Sequence, residues 1–199
     1  MKIIKNKIVI ASHNQGKIRE LKEIFKDFNY QIFSSKDFKL DEPEETGTSF
    51  EENALIKSIY TAKNTGLVSL SDDSGLCIDT LNGQPGVYSA RIAGENKNFN
   101  SAMNILQKKM VKKSNKKCKF VCALSLCWPN GHNITVKGEI FGEFVWPPRG
   151  DLGFGYDPIF QPKGMQKTFA EIDPKLKHSI SHRSIAFENL KKKINFNDG

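Results

Sequence analysis

The sequence predicts an α/β fold in which helices flank a mixed β-sheet in three layers. Strand and helix patterns alternate over the first half of the chain, and two strand patterns follow each other in the middle, which indicates antiparallel pairing. The 199 residues suffice for one substantial core but are few for two. We therefore expect residues 1–199 to form a single domain.

The chain begins with a strand, a polar loop and a helix. Residues 7–11 read as a buried strand, and residues 12–17 form the loop that follows it. The next apolar residues recur at helical spacing: Ile18, Leu21, Phe25 and Phe28.

A second helix is predicted between Ser49 and Gly66. Ser49 and Glu52 have the spacing of a capping box, and glycine is a common residue at a helix end. Residues 67–70 then form an apolar strand that leads into Ser71-Asp72-Asp73-Ser74-Gly75. We expect the strand to end on its two carboxylates and the chain to turn directly afterwards.

The second half of the chain contains further helix and strand patterns. Residues 103–110 are spaced as an amphipathic helix, and residues 120–128 are apolar on both alternating faces, as in a central strand. Residues 132–136 and 139–144 read as a strand pair with a break between them. The last helix is predicted at residues 181–194.

The net charge of +8 favours polyanionic partners in general. A basic nucleic-acid-binding module is therefore one alternative function. The lysine clusters contain no interleaved aromatic residues that could stack on bases, and they read as solvated surface. We expect no nucleic-acid partner.

Apolar segments and cysteines bear on the cellular compartment. No segment approaches the roughly 18 apolar residues of a membrane helix, and the stretch after the Lys-rich residues 1–7 is too short for a signal peptide. The cysteines lack CxxC spacing, which favours buried thiols over a structural zinc. We expect a cytoplasmic protein without a membrane partner.

The loop between the first strand and the first helix has the composition of an anion site. Backbone N–H groups and the positive end of the helix dipole meet there, so hydroxyl, amide and ammonium groups could hold a phosphate together. The GxxxxGK[ST] pattern is absent, and an ordinary Asn- and Gly-containing turn is the alternative. The candidate residues are Ser12, His13, Asn14, Gln15, Gly16 and Lys17.

The adjacent carboxylates Asp72 and Asp73 need a cation, a set of donors or water. Successive side chains of a strand face opposite ways, so the two reach one site only if the strand ends there. Mg²⁺ that arrives with a triphosphate prefers one or two carboxylates plus phosphate oxygens. The acidic loop 41–47 offers a second ligand in Glu44 or Glu45, although an Asx turn and a solvated loop would also explain these residues.

Three other groups of residues are candidates for substrate contacts. Asn53 and Lys57 are four residues apart, on one face of the second helix. Residues 150–158 combine glycines, aromatic rings and carboxylates, which suits a loop around a flat ligand or a tight hairpin. Residues 177–183 place basic side chains around another helix start.

Six stretches taken together resemble the inosine triphosphate pyrophosphatases, also called dITP/XTP pyrophosphatases. They run in the order of that family over nearly the whole chain. The stretches are residues 12–17 (SHNQGK), 44–47 (EETG) with 52–54 (ENA), 71–76 (SDDSGL), 86–91 (GVYSAR), 154–160 (FGYDPIF), and Lys177 with 181–183 (SHR).

The resemblance implies a fold and an activity. The fold would be an elongated mixed β-sheet flanked by helices, with two lobes and a central nucleotide cleft, as in Maf and inosine triphosphatase proteins. The activity would be hydrolysis of ITP, dITP and XTP to the monophosphate and pyrophosphate, with Mg²⁺, by a homodimer. A Maf-like pyrophosphatase of pyrimidine or modified nucleotides is the nearest alternative.

The resemblance also implies residue roles. Asp73 would be the proton acceptor and, with Glu44, the Mg²⁺ ligand, although Glu45 could replace Glu44. The residues implied in substrate binding are Ser12, His13, Asn14, Gln15, Gly16, Lys17, Lys57, Ser74, Phe154, Gly155, Tyr156, Asp157, Lys177, His182 and Arg183.

Base selectivity adds a more specific expectation. Hypoxanthine and xanthine carry acceptors at O6 and N7, which an Arg guanidinium can meet, whereas adenine presents an amino donor at position 6. Arg183 is therefore the candidate reader of the base. Either Phe154 or Tyr156 would stack on the ring.

Overall fold

The computed structural model describes residues 6–94, 96–194 and 196. The strands are β1 (Lys7–Ala11), β2 (Gln31–Ser34), β3 (Val68–Ile78), β4 (Lys117–Cys127), β5 (Asn133–Phe144) and β6 (Phe160–Pro162). The helices are α1 (Gln15–Ile24), α2 (Phe50–Thr65), α3 (Ser89–Ile92), α4 (Phe99–Met110), α5 (Pro174–Ile180) and α6 (His182–Lys191).

The strands form one mixed sheet in the order β2-β1-β3-β4-β5-β6. β1 runs parallel to β2 and β3, and β5 runs antiparallel to β6. The predicted mixed α/β fold is therefore confirmed. In the register of β1 with β3, Ala11 lies opposite Ser71, so β1 ends beside the start of the acidic sequence.

By its internal contacts the chain divides into two compact units. Unit 1 comprises residues 1–73, 122–138 and 183–199, and unit 2 comprises residues 74–121 and 139–182.

In unit 1, α1 and α6 pack on one face of the strands. The core there includes Ile10, Leu21, Leu70 and Leu190. The next residue of β3 points the other way, because side chains alternate along a strand. The Oγ of Ser71 donates a hydrogen bond to the carbonyl of Ala54 (2.5 Å), so α2 covers the opposite face.

Unit 2 has its own core between α4 and the strands. Leu76, Met103, Leu106, Phe120 and Phe160 are buried in it. The predicted amphipathic helix over residues 103–110 is thus confirmed, and its apolar face is buried.

The ends of α2 are the ones that the sequence predicts. Ser49 accepts a hydrogen bond from the Glu52 N–H, and the Glu52 side chain completes the capping box. Gly66 has a φ of 66° and donates to the Ala62 carbonyl, which closes the helix.

The predicted end of the strand at the two carboxylates is wrong, because β3 continues to Ile78. Gly75 serves close packing there instead of a turn. A Cβ on Gly75 would lie 2.4 Å from both the Gly86 carbonyl oxygen and the Ser89 Oγ. The Leu76 N–H donates to the same Ser89 hydroxyl (3.0 Å), so Ser89 joins residues 86–91 to β3.

Two further boundaries differ from the sequence prediction. β5 is one continuous strand over Asn133–Phe144, where we expect a break between residues 136 and 139. α6 ends at Lys191, although the Ile194 N–H still bonds the Leu190 carbonyl in the following turn.

The cysteines, the helices and the chain start bear on the predicted cellular compartment. Cys118, Cys122 and Cys127 are buried and Cys77 is half-buried, and none of the four forms a disulfide. Among the described residues, no helix combines the length and apolar character of a membrane span. Residues 1–5 of the Lys-rich start lie outside the described residues.

Candidate functional site

The loop after β1 is organised by an N-cap. The Asn14 side-chain oxygen accepts from the N–H groups of Gly16 (2.9 Å) and Lys17 (3.2 Å), and the Asn14 N–H donates to the Ser12 hydroxyl (3.1 Å). The expectation that the N–H groups of this turn are free for an anion is therefore wrong for Gly16 and Lys17. Asn14 satisfies them because a capping side chain is the usual partner of such groups.

The remaining residues of the loop differ in exposure. His13 is half-buried, and its Nε2 lies 2.9 Å from the Leu40 carbonyl oxygen, which ties the loop to the segment after β2. Gln15 is exposed at the start of α1. The side chain of Lys17 turns toward β3, where its Nζ lies 2.7 Å from Asp72.

Asp72 is fully buried on the face of β3 that carries Leu70. Its Oδ2 accepts from Arg183 Nε (2.7 Å) and Cys122 Sγ (3.0 Å), and its Oδ1 pairs with Lys17 Nζ (2.7 Å). Burial alone raises the pKa of this carboxyl, but the charges of Arg183 and Lys17 outweigh burial and hold the pKa well below its usual range. Asp72 is thus a charged group with its oxygens engaged.

Asp73 faces the opposite way, toward α2. Its Oδ2 accepts from Asn53 Nδ2 (3.3 Å), and its Oδ1 lies 3.4 Å from Lys57 Nζ. Burial raises the pKa of Asp73, and the charges of Lys57 and Lys17 offset that rise only in part. Asp73 is therefore the carboxylate of the pair with the weaker contacts.

The Lys57 ammonium lies between two carboxylates. It is 2.5 Å from Glu45 Oε1 and 3.4 Å from Asp73 Oδ1. Burial lowers the pKa of Lys57, but Asp73 and Glu45 together raise it above its usual value. The acidic loop and the strand thus meet at one buried positive charge.

The two candidate glutamates of the acidic loop differ in their contacts. Glu45 contacts Lys57, while Glu44 is exposed to solvent. Glu45 and Asp73 therefore share the Lys57 ammonium, and the choice of Glu44 or Glu45 as metal ligand stays a prediction. Within the described residues, no group of three or more His, Cys, Asp or Glu side chains surrounds a metal-sized position.

In unit 2, Asp157 organises the glycine- and aromatic-rich loop. Its Oδ2 accepts from the Phe154 N–H (2.8 Å) and from Lys177 Nζ (2.5 Å). Lys177 Nζ also lies 4.8 Å from the centre of the half-buried Phe154 ring. A Cβ at Gly153 would stand 2.1 Å from Asp157 Oδ2, so glycine is required for this approach.

The other predicted substrate residues of unit 2 are more deeply placed. Tyr156 is 3% exposed, and its hydroxyl donates to the Ser89 carbonyl (2.8 Å), whereas Phe154 is half-buried. His182 is buried and stacks on Phe120, with ring centres 4.9 Å apart. Gly155 has a φ of 68°, and Ser74 is half-buried in β3.

Arg183, the candidate reader of the base, lies in unit 1. It is 1% exposed, with Nε on Asp72 and NH1 on Glu20 of α1. Burial alone would lower the pKa of Arg183. The charges of Asp72 and Glu20 outweigh burial and raise the pKa above its usual value. A contact between Arg183 and a base would require the guanidinium to leave these partners.

Two residues of the site, Glu20 and Cys122, are missing from the sequence prediction. Glu20 follows Lys17 by one helical turn, and this spacing indicates that the two side chains lie on the same face of the helix. Asn53 is predicted, with Lys57, as a candidate for substrate contacts, and in the structure its amide contacts Asp73. Nothing in the sequence connects Cys122 with Asp72, because strand pairing across the sheet brings them together.

The chain resembles known proteins over nearly its whole length. The model of the Ham1 family matches residues 8–193, which is nearly the whole chain. The chain belongs to the Ham1 family. The family stretches predicted from the sequence, from the loop after β1 to the start of α6, lie inside this match.

Individual relatives agree with the family assignment. A protein of Zymomonas mobilis named dITP/XTP pyrophosphatase is 49% identical over 187 residues, which cover 92% of this chain and 90% of that protein. The solved structure of a HAM1 protein from Coxiella burnetii has a TM-score of 0.86 at 39% identity, with 94% and 97% of the two chains covered.

A second solved structure carries a functional name. The nucleoside-triphosphatase or dITP/XTP pyrophosphatase of Mycobacterium abscessus has a TM-score of 0.76 at 39% identity and covers 92% of this chain and 98% of its own. The likeness therefore extends over both units of this chain.

Proposed function

We propose that this Ham1 protein hydrolyses ITP, dITP and XTP to the nucleoside monophosphate and pyrophosphate. The observation that carries the proposal is the pair Glu45 and Asp73 on the Lys57 ammonium. A buried positive charge held by two carboxylates is suited to a polyanion accompanied by a divalent ion. The names of the relatives, dITP/XTP pyrophosphatases, supply the substrate class.

The donor set fits Mg²⁺. Glu45 and Asp73 supply carboxylate oxygens, which this ion prefers, and the two side chains already meet at one cation, Lys57. Glu45 and Asp73 would hold the ion, with phosphate oxygens as further ligands. When bound, Mg²⁺ neutralises phosphate charge and so favours attack at phosphorus.

The lysines and carboxylates of the site would then have separate chemical tasks. Lys57 and Lys17 offset the negative charge of the phosphates and of the leaving pyrophosphate. Asp73 accepts the proton of the attacking water, because its oxygens have the longer contacts, and burial raises its pKa above the usual value. Asp72 cannot share this role, since its oxygens are engaged by Arg183, Lys17 and Cys122.

The loop of unit 2 supports recognition of the nucleoside. The half-buried Phe154 presents a ring for stacking, and the Lys177–Asp157 pair holds that loop segment in place. Discrimination against adenine by Arg183 stays a prediction. It requires exchange of the contacts with Asp72 and Glu20 for the acceptors at O6 and N7.

The assembly and location of the enzyme complete the proposal. We infer a homodimer of chains that each act as one catalytic domain, residues 1–199, in the cytoplasm, with a nucleoside triphosphate as its small-molecule partner. These points stay predictions from the sequence and the family resemblance.

A nucleotide panel tests the proposal directly. Pyrophosphate release is measured from dITP, XTP, dGTP, dATP and UTP, with Mg²⁺ and with excess chelator. We expect fast release from dITP and XTP only when Mg²⁺ is present. Preference for UTP would indicate the Maf-like alternative, and salt-sensitive polynucleotide binding without pyrophosphate release would indicate the nucleic-acid-binding alternative.

A further inference from the structure

We propose that Asn53 is a positioning residue for the metal ligands, since it joins the acidic loop to Asp73. Its side-chain oxygen accepts the Gly47 N–H (2.8 Å), and its Nδ2 donates to Asp73 Oδ2 (3.3 Å). The side chain is fully buried in the first turns of α2. One carboxamide thus connects the segment that carries Glu45 with the strand that carries Asp73.

The orientation of this carboxamide follows from its partners. A backbone N–H can only donate, so the atom that faces Gly47 must be the amide oxygen. An ionised carboxylate can only accept, so the atom that faces Asp73 must be the NH₂ group. No other side chain of this size offers an acceptor at one end and a donor at the other.

Gly47 shows how closely the acidic loop approaches the helix. A Cβ there would lie 2.6 Å from Glu52 Cβ and 2.7 Å from Asn53 Oδ1, both nearer than non-bonded atoms pack. The Thr48 N–H donates to the same Glu52 side chain (2.6 Å). The loop is therefore held against the first turn of α2.

We call the hydrogen bonds from Gly47 to Asn53 and from Asn53 to Asp73 the clamp. The clamp determines where Glu45 lies. Glu45 is two residues before Gly47, and its carboxylate reaches the Lys57 ammonium, one helical turn after Asn53. Asn53 and Lys57 lie on the same face of α2. The amide fixes the loop and the ammonium receives the carboxylate, so both metal-binding side chains are placed before any metal binds.

The inference rests on the proposed function, because it assigns Asn53 a task in binding Mg²⁺ for that reaction. Residues that orient a metal ligand without touching the metal contribute about 10- to 100-fold to metal affinity or activity. We therefore expect Asn53→Asp and Asn53→Leu to raise the Mg²⁺ concentration for half-maximal activity by about 10-fold or more. In Asn53→Asp the new carboxylate would repel Asp73, and in Asn53→Leu both hydrogen bonds are lost.

Two further variants sharpen the test. Gly47→Ala leaves the amide in place but forces the loop away from it, so the same shift in Mg²⁺ dependence is expected. Asn64→Asp is the matched control, because it adds the same charge to the same helix at an exposed position whose amide donates to the Tyr60 carbonyl. This control should retain the wild-type Mg²⁺ dependence.

The measurements separate positioning from stability. Activity is measured against Mg²⁺ at saturating dITP, Mg²⁺ binding by calorimetry, and thermal stability by circular dichroism. A rise in the half-saturating Mg²⁺ concentration that exceeds any effect on nucleotide KM supports the inference. Wild-type Mg²⁺ dependence in folded Asn53→Asp and Asn53→Leu would overturn it.

A measurement without turnover distinguishes this inference from the proposed function. Hydrogen exchange of the Gly47 amide, followed by NMR, should be faster in Asn53→Leu than in the wild type and unchanged in Asn64→Asp. Unchanged exchange at Gly47 in Asn53→Leu would contradict the clamp even for an active enzyme. If the wild-type protein releases no pyrophosphate from any nucleotide, the proposed function fails. Hydrogen exchange at Gly47 and calorimetric Mg²⁺ binding still test whether Asn53 positions the acidic loop.

Discussion

The two faces of β3 place neighbouring carboxylates in opposite environments. Asp72 is held by two cations and a thiol at 2.7 to 3.0 Å. Asp73 has an amide and an ammonium at 3.3 and 3.4 Å. Burial raises the pKa of both carboxyls, yet the net pKa falls for Asp72 and rises for Asp73, because only Asp72 has cations close enough to outweigh it.

The difference shows how one residue type serves two purposes in one dipeptide. A buried carboxylate whose oxygens are fully paired stabilises the fold and has little capacity left for chemistry. A carboxylate with longer contacts can exchange them for a metal ion or a proton. A perturbed pKa in such a position is typical of functional groups, although ion-pair networks perturb pKa values as well.

The largest expected effect concerns the chemical step. Asp73→Asn should fold and lose about 10²- to 10⁴-fold in kcat, the usual contribution of a positioned base. The measurement is pyrophosphate release from dITP at saturating Mg²⁺, with folding checked by circular dichroism. Wild-type turnover in this variant would refute Asp73 as the proton acceptor.

For Asp72, in contrast, we expect substitution to lower the stability of the protein. Asp72→Ala leaves the Nε of the buried Arg183 without its carboxylate partner, and loss of one member of a buried ion pair typically costs about 3 to 5 kcal/mol. Urea unfolding would measure the change in the free energy of unfolding. A stable Asp72→Ala protein would mean that Glu20 and water satisfy the guanidinium, contrary to the structural role of Asp72.

The two glutamates of the acidic loop provide a smaller and sharper contrast. Glu45→Gln should raise the half-saturating Mg²⁺ concentration by about 10-fold, whereas Glu44→Gln should leave it near the wild-type value. The same assay measures both, and each variant is the matched control of the other. The reverse order of effects would restore Glu44 as the metal ligand.

The smallest expected effect is the pH dependence of stability. The folded pKa of Asp72 is depressed, so its stabilisation is present above an unfolded pKa of about 3.9 and is lost as pH falls toward the folded pKa. The difference in unfolding free energy between wild type and Asp72→Asn should therefore shrink below about pH 4.

The contribution of Asp73 to the free energy of unfolding should change with pH in the opposite direction. Its folded pKa is raised, so the ionised carboxylate opposes folding at neutral pH, and protonation at lower pH removes that cost. Without Mg²⁺, Asp73→Asn should therefore be at least as stable as the wild type at pH 7. Urea unfolding of both substitutions at pH 3, 5 and 7 tests the pair, and a parallel response of the two variants would contradict the comparison.

Much of the candidate site could be predicted from local sequence. The capping box at Ser49, the stop at Gly66 and the opposite faces of Asp72 and Asp73 depend on helix and strand geometry within a few residues. The motifs at residues 12–17 and 154–157 were identified as candidate binding loops for the same reason. The sequence analysis did not predict that Asn14 and Asp157 occupy N–H groups of these loops.

The sequence alone determined the mixed α/β fold, the family and the identity of the acidic dipeptide, because these depend on patterns and motifs along the chain. Tertiary structure decided that β3 continues through the dipeptide to Ile78, that Glu45 meets Lys57, and that Arg183 is buried on Asp72. The physical reason is that Arg183 and Asp72 are 111 residues apart in sequence. Strand register and helix packing, which no local pattern encodes, select such distant partners.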